Sequence, residues 1–120
     1  MVVEDEPSVA TLVHRVLARD GYEVISARNG REARELYLKR AADIDLIVTD
    51  LIMPEVSGVE LVSSLREAGH TPRVLFLSGY TDSQLARLDA LGDEVDLLRK
   101  PFQAADLTSR VRQALARPRP

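Results

Sequence analysis

Two hydrophobic periodicities take turns along the chain, and no other feature restricts its fold as strongly. Short apolar runs of strand type fall at Met1 to Val3, Tyr22 to Ala27, Ile44 to Thr49, Val74 to Leu77 and Val95 to Leu98, with a helical pattern after each. Val9, Leu12, Val13, Val16 and Leu17 repeat with helical spacing, which predicts an amphipathic helix over residues 7–19, with Pro7 in its first turn and Asp20-Gly21 at its end. Asn29 with Glu32 three residues later signals a second helix, whose apolar face is Ala33, Leu36, Tyr37 and Ala41. A third is expected over residues 58–68, stopped by Gly69. A fourth opens with Thr81 and Gln84 at capping-box spacing and carries Leu85, Leu88 and Leu91. The last has Ala104, Leu107, Val111, Ala114 and Leu115 on one stripe.

Strict alternation of strand and helix implies an α/β fold with a parallel sheet covered on both faces, because each short connection must cross over with right-handed chirality. The runs "IDLIVT" and "VLFL" are nearly continuous apolar stretches, as central strands buried on both sides require. With five strands the usual doubly wound order is 2-1-3-4-5, which opens a crevice beyond the C-terminal ends of strands 1 and 3, where the winding reverses.

The 120 residues suffice for one domain, predicted over residues 1–117, with 118–120 as tail or linker and "RPRP" as a loose end. Strand 1 is short, since an acid arrives at Glu4, and its start is expected to be trimmed. A net charge of −3 with interspersed signs offers no basic footprint for nucleic acid and no polybasic stripe for a membrane. With no cysteine there is no disulfide framework or thiolate metal site, no apolar run approaches a membrane span, and a cytoplasmic location is the expectation.

The C-terminal ends of all five strands share one edge. Strand 1 ends in Glu4, Asp5 and Glu6, strand 3 in Asp50, strand 4 in Ser78, and strand 5 in Arg99 and Lys100. Three carboxylates at the winding reversal repel one another, and a divalent cation relieves that repulsion. Mg²⁺ fits best, because it takes one or two carboxylates, keeps several waters and completes its shell with phosphate oxygens; no calcium loop is visible, and zinc would want His or Cys. A cation, a hydroxyl and an ammonium around an ionised acid make a phosphoryl site, with Asp50 attacking, Ser78 donating to an oxygen, and Lys100 and Mg²⁺ neutralising charge. His14 and His70 are expected in surface roles, and Glu6 as a surface charge or cap of the first helix.

The stretches "VVEDEP", "DLIVTDLIMPEVSG", "VLFLSGYTD" and "LLRKPF" closely resemble the receiver domain of two-component response regulators, over essentially the whole chain. That family is flavodoxin-like, (βα)5, and is itself a standard example of the 2-1-3-4-5 order. The resemblance implies that Asp50 is the phosphoacceptor, taking a phosphoryl group from a phosphohistidine on a histidine kinase or histidine phosphotransfer protein. It makes Glu4 and Asp5 the acidic pair, Asp5 binding Mg²⁺ directly and Glu4 through water, with the Ile52 backbone carbonyl as a further metal ligand. Ser78 matches the switch hydroxyl, and Lys100-Pro101 the lysine and its usually cis bond. Readout would pass through the surface of helix 4, strand 5 and helix 5 to a downstream protein or attached output domain.

Glu4 stands for the more usual Asp, Ser78 for the more usual Thr, and Leu97 where many relatives carry an aromatic toggle. "VLFLSGYTD" is similar to receivers of hybrid histidine kinases. Moving a two-state domain from 1:99 to 99:1 takes roughly 5.5 kcal/mol, which two or three charge-assisted hydrogen bonds at about 1.5–3 kcal/mol each could supply. Two alternatives are a receiver-shaped interaction module that no longer uses phosphate, and a phosphatase or nucleotide hydrolase. Against the second, no D-x-D follows strand 3 and no phosphate-binding G-x-x-x-x-G-K-[ST] loop is present.

Overall fold

The computed structural model describes residues 1–53, 55–79 and 96–118. Its elements are β1 (Val2–Val3), α1 (Pro7–Arg19), β2 (Ser26–Ala27), α2 (Gly30–Arg40), a 3₁₀ turn (Ala41–Asp43), β3 (Ile47–Asp50), α3 (Gly58–Glu67), β4 (Val74–Ser78), β5 (Asp96–Arg99) and a C-terminal helix, α4 (Ala104–Ala116). All strand pairs are parallel, in the order β2-β1-β3-β4-β5. The helix predicted from Thr81 onward and Pro54 lie outside the described residues.

Alternation along the strands assigns the two faces of the sheet. Val3, Ile47 and Phe76 point to one side, where they pack with Ala33 and Tyr37 of α2 and Leu61, Val62 and Leu65 of α3. Val2, Val48, Leu75, Leu77 and Leu98 point to the other, against Val13 and Leu17 of α1 and Leu107, Val111 and Ala114 of α4. Each fully buried side chain of this size contributes about 1.5–3 kcal/mol, so these two layers hold the sheet edge in place.

Helix ends follow the sequence signals with two changes. The Asn29 side chain accepts from the Glu32 amide at 2.8 Å, but Glu32 does not reach back; its carboxylate pairs with Arg28 at 3.4 Å. Ser57 and Glu60 form a reciprocal capping box at the start of α3, a signal legible in the sequence. Asn29→Ala should cost about 1 kcal/mol, read as a Tm about 4 °C lower in thermal denaturation; an unchanged Tm would show that the cap is idle.

The strands differ from their predicted limits, β1 by lacking Met1 and β5 by ending one residue later, at Arg99. Residues 22–25 and 44–46 are not in the ladder, because strand pairing needs a partner and β1 offers only Val2 and Val3 between them. The strand at Ile47 extends one residue further than expected, to Asp50, and β4 likewise to Ser78. Nor is "RPRP" loose at its first residue. Arg117 pairs with the buried Asp96 at 3.4 Å, and its carbonyl accepts from Arg73 Nε at 2.8 Å. His14 is exposed, with Nδ1 3.3 Å from Ser26 Oγ, while His70 stands edge-on to the buried Tyr37 ring at 5.3 Å.

Candidate functional site

The strand ends meet as the winding rule requires. Val3 is in register with Thr49 across β1 and β3, and Asp50 with Leu77 across β3 and β4. Glu4 and Asp50 therefore leave neighbouring strands side by side, and Ser78 lies one residue beyond the partner of Asp50. The end of β5 is tied in through its backbone, since the Lys100 amide donates to the Ser78 carbonyl at 2.7 Å. Lys100-Pro101 is cis, as the motif implies.

Lys100 reaches across the sheet edge to the acids. Its Nζ lies 2.6 Å from Asp50 Oδ1 and 3.5 Å from Glu4 Oε1. Glu4 and Asp50 are buried, whereas Asp5 is exposed. Burial pushes the Asp50 carboxyl above its ordinary value, and the hydrogen bond and charge of Lys100 pull it back. Ser78 is buried and its hydroxyl donates to the Gly79 carbonyl at 3.1 Å. Ile52, two residues past Asp50, is 51 % exposed at the rim.

The donor set suits a hard cation. Glu4, Asp5 and Asp50 can each place a carboxylate oxygen within 4.8 Å of the others, and all three offer oxygen alone. More telling is Glu4, whose two oxygens are buried without a hydrogen-bond partner among the described residues. The 3.5 Å approach of Lys100 is an ion pair and lacks hydrogen-bond geometry. An acid left in that state has unused lone pairs aimed at the cluster, which fits Mg²⁺.

What reading residue types missed is the floor under Asp50. Thr49, fully buried, donates its hydroxyl to the Asp50 carbonyl at 3.1 Å. The Gly58 amide donates to Leu51 O at 2.9 Å, and a Cβ on Gly58 would collide with the Asp50 carbonyl oxygen and lie 3.2 Å from Phe76 Cε1. Between them, Glu55 holds a left-handed φ of 68°, a cost usually tolerated where a loop must take one shape. Gly58 stands in the quoted motif, but only the fold reveals what it touches.

Residues 1–112 match the response regulator receiver domain as a family. The chain belongs to that family. Sensor kinase CckA of Brucella abortus (strain 2308) is 33 % identical over 115 residues, 96 % of this chain and 12 % of that protein. The transcriptional regulatory protein PcoR of Escherichia coli is 34 % identical over 121 residues, 99 % of this chain and 52 % of that one. A response regulator receiver domain protein from Clostridium thermocellum superposes with a TM-score of 0.84 at 28 % identity, covering 95 % of this chain and 90 % of that one. The receiver thus spans about half, or far less, of the curated relatives it matches. Among the described residues no helix is long and apolar enough to cross a membrane.

Proposed function

We propose that this receiver domain is a phosphoacceptor switch in which Asp50 takes a phosphoryl group from a phosphohistidine on a histidine kinase or histidine phosphotransfer protein. One observation carries the reading: a buried Asp50 at the C-terminal end of β3, 2.6 Å from Lys100 and within one cluster with Glu4 and Asp5.

In the transfer, a carboxylate oxygen of Asp50 attacks phosphorus, the P–N bond breaks, and the imidazole leaves with the bonding electron pair. The product is an aspartyl phosphate, whose hydrolysis resets the switch. Asp5, Asp50, the Ile52 backbone carbonyl and, directly or through water, Glu4 would hold Mg²⁺, which when bound neutralises charge on the phosphoryl oxygens. Lys100 supplies a further positive charge there. Ser78 turns its hydroxyl from the Gly79 carbonyl toward a phosphoryl oxygen, and Lys100, bonded to the Ser78 carbonyl through its own amide, draws β5 after it. Leu97 on β5 is half-buried against the core, so β5 carries no aromatic that could swing inward at that position.

The readout surface in this reading is the predicted fourth helix with β5 and α4, and its partner is a downstream protein or an attached output domain. Both a kinase parent and a transcriptional-regulator parent are represented among the relatives, and the residues flanking the domain in its gene distinguish them. A cytoplasmic location, with no direct contact to nucleic acid by this domain, belongs to the same reading. Beryllofluoride with Mg²⁺ should bind and shift amide resonances at Asp50, Ser78 and Lys100. A spectrum unmoved by beryllofluoride would instead support an interaction module that no longer uses phosphate.

A further inference from the structure

Helix α2 supplies nothing to the acid cluster of Glu4, Asp5 and Asp50, yet its first residue meets the loop that leaves Asp50. Gly30 is buried at the start of α2, and a Cβ built on it would lie 2.8 Å from both Cβ and Cγ1 of Val56 and 2.9 Å from the Val56 carbonyl oxygen. Its backbone does not call for glycine. The positive-φ glycines among the described residues are Gly21 and Gly69, and within a helix alanine is ordinarily the more stable residue. What leaves no room for a side chain at Gly30 is the close approach of Val56. The first turn of α2 is itself fixed, since the Asn29 side chain accepts from the Glu32 amide at 2.8 Å and the fully buried Ala33 belongs to the core against which Val56 packs. The ends of the loop are joined as well, by the Gly58 amide on Leu51 O at 2.9 Å. Between them stand Ile52, whose carbonyl is in the proposed cation set, and Glu55 at a φ of 68°.

We infer that Gly30 is a positioning residue for the cation site: by leaving room for Val56 it lets the loop after β3 close down on α2, and that seat sets where the Ile52 carbonyl stands relative to Asp5 and Asp50. The inference rests on the metal reading above and deepens it, since it puts part of the control of the site on a helix that supplies none of the ligands. A methyl group at Gly30 meets a backbone oxygen, which no side-chain rotation can move aside. With Leu51 and Gly58 holding the loop's ends together, the displacement falls on the residues between them, Ile52 included. Metal sites are sensitive to such shifts, because groups that orient a ligand matter nearly as much as the ligand itself.

The test is titration with Mn²⁺, followed by the resonance of the free ion, on the unmodified domain, Gly30→Ala, Val56→Gly and the double variant, with thermal denaturation in EDTA and amide spectra of the metal-free proteins alongside. Gly30→Ala should bind Mn²⁺ about tenfold more weakly at temperatures where it is fully folded, and its Ile52 and Glu55 amide resonances should be shifted before any metal is added. Val56→Gly, which removes the seat from the loop side, should weaken binding by a similar factor, and adding Gly30→Ala to it should change the affinity by no more than about twofold. A glycine with a merely structural role would lower the Tm and leave the affinity of the folded variant unchanged. If the unmodified domain binds Mn²⁺ and Gly30→Ala binds it equally well, the positioning role is wrong while the metal reading stands. If Gly30→Ala does not fold, the Val56→Gly pair decides: weakened binding that the alanine does not weaken further upholds the role, and a Val56→Gly that binds like the unmodified domain, or a double variant that does not fold, overturns it. If the unmodified domain does not bind Mn²⁺, the metal assignment fails and the positioning role with it.

Discussion

Asp50→Asn is expected to abolish phosphoryl labelling of the domain by acetyl phosphate in the presence of Mg²⁺. The substitution keeps the shape of the side chain and removes the charge that makes it a nucleophile. It also removes one of the like charges crowded with Glu4 and Asp5, so the fold should survive and the loss be one of chemistry. Glu4 is not expected to substitute for it as acceptor, because its carboxylate is buried and paired with Lys100 at 3.5 Å. Intact-mass measurement gives the answer directly: one added phosphoryl group on the unmodified domain and none on the variant. Undiminished labelling of Asp50→Asn would sink the assignment of the acceptor.

Gly58→Ala should have the largest effect on stability of any single methyl group added to this site. The new Cβ would meet the Asp50 carbonyl oxygen, which is backbone and bonded by Thr49, so no flexible side chain can swing away to make room. Either α3 retreats from the sheet or the end of β3 moves. Overpacking of this kind costs about 3 kcal/mol, a Tm lower by about 10 °C or more. Since the displaced atoms belong to Asp50, labelling by acetyl phosphate should also slow at temperatures where the variant is still folded. A variant with unchanged Tm and labelling rate would show that α3 does not press on the site.

The chain's periodicity was enough to place α1 over residues 7–19 and to find five strands alternating with helices, because a 3.6-residue stripe and a continuous apolar run bury themselves differently; the strand order came from the usual doubly wound topology and the family resemblance. Glu4, Asp5, Asp50, Ser78 and Lys100 were legible as a group for the same reason: in a parallel sheet every strand's C-terminal end lies on one edge. Strand lengths were less legible. Tyr22 to Ile25 and Ile44 to Leu46 have strand-like composition, yet a ladder requires a neighbour, and their apolar character says nothing about how long β1 is. Arg117 likewise looked like tail until Asp96 and Arg73, distant in sequence, were found to hold it.

Residue identity and spacing by themselves determined which side chains reach the sheet edge, since strand direction and topology follow from local periodicity and chain chirality. Only the tertiary structure decided which of them touch. That Lys100 is bonded to Asp50 while Glu4 is left buried and unbonded, that Asp5 faces solvent, and that Gly58 lies against the Asp50 carbonyl depend on packing between elements tens of residues apart. Differences of an ångström separate a hydrogen bond from an ion pair and a contact from a collision, and distances that small are set by how the helices seat on the sheet. "VTDLIMPEVSG" spells out the acid and its loop; the seating of α3 beneath it, and of Lys100 across from it, is what holds that acid in place.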